Sequence, residues 1–238
     1  MDVKPAPVRR AVHYRESDGK PMAESDLHVR ETIELLVMLS THFAERGDVY
    51  VASNNFLYYE EGQPKSVISP DVYVVFGIAP HPRRVFKLWE ERRAPAAVFE
   101  VSSRKTWPGL GAKMETCARL GVAEYWLYDP EGDYLDPTLQ GFQLTPAGYV
   151  RIELDDQGKL PSSVLGLDLD LDGNGRIRLV DARSRRRLLR SREEHQARVR
   201  SERKVARMAA AQDALNAELQ RLLQENARLR GEGLERDD

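Results

Sequence analysis

Two short apolar runs, Val72 to Phe76 and Ala96 to Val101 with Glu100 as its one polar member, stand in the middle of the chain. Runs of this length without polar alternation suit central strands covered on both faces. Upstream, Ser25 or Asp26 is a plausible N-cap for a helix running to about Arg46, with Ile33, Leu36, Val37, Ser40 and Phe43 along one face. Gly47-Asp48 stops it, and Val49 to Ala52 and Phe56 to Tyr59 follow as two short strands, predicted to pair as an antiparallel hairpin. Residues Ala79 to Pro95, punctuated by Pro80, Pro82 and Pro95, read as a loop with one short helix. Leu110 to Leu120 reads as a helix ended by Gly121, and Glu124 to Tyr128 as the next strand. Strand, helix, strand is a right-handed parallel crossover, so the core is expected to be α/β, a mixed sheet flanked by helices. Short β-hairpins are expected from Gly141 to Val180.

The C-terminal pattern has a different period. Val205, Gln212, Leu219 and Asn226 recur every seven residues, as do Met208, Leu215, Leu222 and Leu229 three positions later. These are the a and d positions of about four heptads, and an Asn at a fixes register and favours a parallel dimer. A single amphipathic helix folded back on the core is the alternative, but polar Gln212 and Asn226 inside so narrow a seam favour self-association. The expected organisation is an N-terminal arm over 1–24, a folded domain over 25–190, a coiled-coil helix over 191–231 and a disordered tail over 232–238, with a homodimer formed through the coiled coil.

Composition narrows the picture modestly. With 238 residues, 41% hydrophobic and 31% charged, the chain has the make-up of a soluble protein. The formal net charge of −2 conceals a basic run, since Arg183 to Arg207 holds eleven Arg or Lys against three Glu. Such a run can contact phosphates or form the solvated entry to the coiled coil, and no aromatic residues are interleaved with it to decide. Cys117 is the single cysteine, which excludes an intramolecular disulfide and a cysteine-based metal site. The absence of a long apolar span argues against the membrane, and a cytoplasmic location is expected.

Chemistry enters through acids at strand ends. Asp71 follows Pro70 at the start of one apolar run and Glu100 lies near the end of the other, an arrangement able to hold a divalent metal against a phosphodiester. Asp71 alone could be a turn residue. Glu100, closing an apolar run, sits where a carboxylate needs a partner. Glu31 and Glu34 on the first helix are possible auxiliary ligands, with a solvated surface role as the plainer reading. His28 and His42 match no zinc spacing and read as surface or cap residues. Asp170 to Asp181 satisfies most of a calcium-loop pattern, but Asp172-Gly-Asn-Gly175 between alternating segments is a stronger hairpin signal.

The segments Ser69 to Asp71 (SPD), Glu100 to Thr106 (EVSSRKT), Lys113 and Gly121 to Pro130 (GVAEYWLYDP) resemble the Uma-two family of PD-(D/E)xK, restriction endonuclease-like nucleases, over about Leu27 to Leu189. The resemblance implies a restriction endonuclease-like fold and a Mg2+- or Mn2+-dependent endonuclease acting on DNA. It also implies Asp71, Glu100 and the backbone carbonyl of Val101 as metal ligands, with a lysine orienting the attacking water. The usual lysine position, two after the glutamate, is Ser102 here. Lys113, eight residues before Gly121 where the family often has a lysine, is the first choice to replace it, and Lys105 the second. Gly109 stands where relatives often have an acid about four before the lysine. Both departures are the grounds for an alternative: a catalytically silent nuclease fold acting as a binding module that dimerises or engages partners through its coiled coil.

Overall fold

The structure, a computed structural model, describes residues 12–17, 19, 24–103 and 107–234. The chain divides into two compact units, Met1–Leu188 and Leu189–Asp238.

In the first unit the two apolar runs become neighbours in a six-stranded sheet. Its strands are β1 (Val49–Ala52), β4 (Val72–Phe76), β6 (Ala97–Val101), β7 (Glu124–Tyr128), β8 (Leu139–Thr145) and β9 (Gly148–Arg151), in that spatial order. Only β6 and β7 are parallel, joined through helix α3 (Leu110–Leu120) as the crossover pattern predicts. The C′ residue Gly121 adopts φ 78°, the left-handed position that favours glycine. Alternate residues of the sheet enter two cores, which explains why β4 and β6 show almost no polar positions. Val72, Val74, Ala97, Phe99 and Trp126 face helix α1 (Asp26–His42) and the small sheet β10 (Leu160–Ser162), β11 (Leu167–Leu171) and β12 (Ile177–Asp181). Tyr73, Val75, Val98 and Tyr125 face α3. Gly141 of β8 is paired with Trp126, and a Cβ there would collide with the indole, so the glycine makes room for the largest side chain of the core.

Three expectations change. The strand Val49–Ala52 does not form a hairpin with the next one: β2 (Phe56–Tyr58) lies in a separate sheet, antiparallel to β3 (Val67–Ile68) and parallel to β5 (Val85–Lys87). The intervening Asn54 takes φ 55°, redirecting the chain between sheets. Within the proline-rich loop the short helix α2 (Leu88–Glu91) is present, but it follows β5, whose Phe86 is fully buried. Finally, α1 buries His28, Glu31, Thr32, Leu35, Met38 and Leu39, while Ile33 is 51% exposed. The apolar face read from sequence was rotated, because the real face begins polar and becomes apolar only after the second turn.

Residues 12–17 of the N-terminal arm lie along the small β2 sheet. The Tyr14 ring meets Tyr58 and Trp89, its hydroxyl accepts from the Gly62 N–H at 2.7 Å, and Tyr58 donates its hydroxyl proton to the Arg15 carbonyl at 2.8 Å. The hairpin reading of Asp172 to Gly175 fits the antiparallel β11–β12 pair. Asp172 accepts from the Asn174 and Arg176 N–H groups and pairs with Arg178, so its carboxylate is occupied in the turn.

The second unit is the helix α4 (Ser191–Leu234), 44 residues long. Among the described residues no helix is long and apolar enough to cross a membrane.

Candidate active site at the β4–β6 strand ends

The register of the central sheet brings the two acids together. Val72 of β4 is paired with Phe99 of antiparallel β6, so one step further Asp71 stands opposite Glu100. By alternation both share the face of Tyr73 and Val98, which is covered by α3. Both are buried. The Val101 backbone N–H donates to Asp71 Oδ2 at 2.8 Å, which locks the aspartate beside the end of β6.

Helix α3 supplies the cation. Leu110, Lys113 and Cys117 recur at helical spacing, and with Leu110 and Cys117 in the core the lysine stem is carried under the strand ends. Its Nζ donates to Glu100 Oε2 at 2.7 Å and to the Ser69 carbonyl at 2.9 Å. Lys113 is the more accessible member, its side chain 24% exposed against 0% for Glu100.

Helix α1 closes the opposite side. Ser25 caps it by accepting from the His28 N–H, and the first turn carries His28 to within 3.6 Å (Nε2) of Asp71 Oδ1. The expectation of a surface histidine is therefore overturned: His28 is buried against the aspartate. The only sequence signal would have been its i, i+3, i+4 alignment with Glu31, Thr32 and Leu35 as an alternative buried face. Glu31 is buried as well, and its Oε2 receives the Tyr128 hydroxyl at 3.5 Å. Glu34 is only partly buried. His42 lies 4.0 Å from Asp181 and away from these acids. Lys105, together with Arg104 and Thr106, lies outside the described residues. Ser102, at the usual lysine position, is buried and donates to the Tyr128 carbonyl at 3.3 Å.

The electrostatics follow from burial. Desolvation pushes the Glu100 carboxyl up to about 8, with the neighbouring Asp71 charge adding to the rise and Lys113 opposing it. Asp71 is also raised, again chiefly by desolvation, against the pull of Lys113 and His28. Lys113 is raised because two carboxylates outweigh its own desolvation. Two buried acids facing one lysine leave a negative charge uncompensated when both are ionised. Among the described residues no donor reaches the buried Glu100 Oε1. A proton held between the acids relieves that arrangement, and so does a cation.

The donor set fits a hard divalent ion. Carboxylate oxygens beside a backbone strand end are what magnesium or manganese prefers, and the unpartnered Glu100 Oε1 is an oxygen available to one. Among the described residues no three His, Cys, Asp or Glu side chains converge to cage an ion. Two carboxylates with water and substrate oxygens completing the shell is a usual magnesium arrangement.

A mixed sheet with helices on both faces, whose two central strands end in buried acids against a helix-borne lysine, defines a restriction endonuclease-like α/β core. The chain belongs to the Uma-two family, described as "Putative restriction endonuclease", whose sequence profile matches residues 4–173. That span begins within the segment assigned to the arm. A solved structure with some likeness is a protein described as a "putative nuclease belonging to DUF820" from Anabaena variabilis, 14% identical, covering 63% of this chain and 81% of its own, with a TM-score of 0.45. No curated protein matches the chain.

Proposed function

We propose that the protein is a metal-dependent endonuclease hydrolysing DNA phosphodiester bonds at Asp71, Glu100 and Lys113. The observation that carries this reading is the lysine ammonium 2.7 Å from a buried glutamate whose other oxygen receives no donor among the described residues, beside a second buried acid.

Asp71 and Glu100 would hold Mg2+ or Mn2+, with the Val101 carbonyl as a backbone ligand, whereas Glu31 is engaged by the Tyr128 hydroxyl. The ion, when bound, polarises the phosphate and lowers the pKa of a bound water. Asp71 is the oriented ligand, fixed by the Val101 N–H on one oxygen and faced by His28 on the other. Glu100 must give up its proton to bind, and the Lys113 charge favours that ionised form. Lys113, the most accessible of the three, can orient the attacking water and offset charge developing on the phosphoryl oxygens.

Cleavage of supercoiled and single-stranded DNA with magnesium or manganese tests it, using wild type beside Asp71→Ala, Glu100→Ala and Lys113→Ala. The expected result is metal-dependent nicking by wild type, removed by chelator and by each substitution. Absence of wild-type cleavage with either metal would contradict the nuclease reading and leave a silent nuclease fold serving as a binding module.

A further inference from the structure

We infer that α4 pairs with a second copy of this chain as a parallel, in-register coiled coil along residues 205–229. This goes beyond the proposed activity and does not depend on it.

A continuous 44-residue helix presents its apolar residues to water. Val205, Met208, Leu215, Leu219, Leu222 and Leu223 are each more than half exposed. Five of them fall on the a and d positions of one heptad frame, and Leu223, at e, widens the stripe. A lone helix gains no burial from such a seam, whereas a partner of the same kind covers it knob into hole. A second copy fits because it carries the same period over the same length.

Orientation follows from the polar members. In parallel register Gln212 faces Gln212 of the partner subunit and Asn226 faces Asn226 of the partner subunit, so each amide meets another that can donate and accept. Antiparallel pairing of the same seam would set Gln212 against Leu222 and Asn226 against Met208, desolvating amides beside aliphatic groups without a hydrogen bond. The basic residues between Arg192 and Lys204 precede the seam, so parallel pairing brings the two basic segments out at one end. Their use in holding DNA phosphates rests on the nuclease reading; the pairing itself does not.

The test uses the full chain at tens of micromolar. Light scattering should give twice the chain mass, falling to the single-chain mass in Leu219→Asp/Leu222→Asp, with the thermal unfolding of the first unit unchanged. Mild oxidation of Leu222→Cys should yield a covalent dimer from this one variant, since identical d positions face each other only in parallel register. Cys117 is buried, so wild type serves as the uncrosslinked control. A monomeric wild type, a mass above the dimer, or cross-linking only when Gln212→Cys is mixed with Leu222→Cys would each overturn the proposal. None of these readouts involves cleavage, so an inactive but dimeric protein would refute the nuclease reading alone.

Discussion

Glu100 and Glu124 are both buried glutamates on adjacent strands of one sheet, yet they do opposite things with their burial. Glu124, at the start of β7, faces the α1 side. It receives the hydroxyls of Ser162 and Ser163, the Val164 backbone N–H and the Trp126 indole N–H at 3.3 Å. Both of its oxygens are engaged, and it fastens β10 and the turn after it to the main sheet. Glu100, near the end of β6, faces the α3 side with one oxygen on Lys113 and the other reached by no donor among the described residues. Burial alone therefore does not mark a functional acid. An oxygen left over after the fold has supplied its donors does, because a fold that needed the acid only for stability would have no reason to leave it.

The largest expected separation between the two acids is in cleavage. Glu100→Gln or Asp71→Asn should lower metal-dependent cleavage by about 10^3-fold or more in a plasmid-nicking assay. Lys113→Met should lower it by roughly 10^2-fold, the usual scale for a positioned proton-transfer or charge-stabilising group. Glu124→Gln should leave cleavage per folded molecule unchanged.

Stability should separate them the other way. Glu124→Gln turns an acceptor oxygen into a donor among donors, and denaturant unfolding should show a loss of about 2–3 kcal/mol. Glu100→Gln replaces a carboxyl that is mostly protonated near neutral pH with a neutral amide and should leave the metal-free protein about as stable as wild type there.

His28 comes next in size. Removing the imidazole by His28→Ala should weaken manganese binding by roughly 10- to 100-fold in a calorimetric titration, since it frees Asp71 from one of the groups that fix it. An unchanged affinity would show that the Val101 N–H alone orients the aspartate.

The smallest effect is the pH dependence. A carboxyl whose pKa rises from 4.5 to about 8 on folding stabilises the fold fully below about pH 4.5 and loses that contribution as pH rises through about 8. Without metal, wild type should lose about 1.4 kcal/mol between pH 7 and pH 9 from this group, and Glu100→Gln should show less of that loss.

Much of this was legible in the sequence where the signal was local. The unbroken apolar runs gave the central strands, Gly121 gave the end of α3, and the strand-helix-strand order gave the parallel β6–β7 pair. Asp71, Glu100 and Lys113 could be picked out because acids beside apolar runs are conspicuous and because their motif resembles a known family. His28 was not, since Ile33, Leu36 and Val37 offered a competing apolar face, and only packing against the sheet shows that the true face starts with polar residues. Glu124 was read simply as part of a strand. Its partners lie 38 to 40 residues away in sequence, so nothing nearby distinguishes it from Glu100. The separation of β1 from β2 was hidden for a similar reason: one residue, Asn54, redirects the chain, and the partners of each strand come from elsewhere.

The most direct test of the central claim is calorimetric titration of manganese into wild type, Glu100→Gln and Glu124→Gln at matched folded concentration. Saturable binding by wild type and Glu124→Gln, with none by Glu100→Gln, is the predicted result. Equal binding by all three, or no binding by wild type, would contradict the assignment of the metal to the Asp71–Glu100 pair.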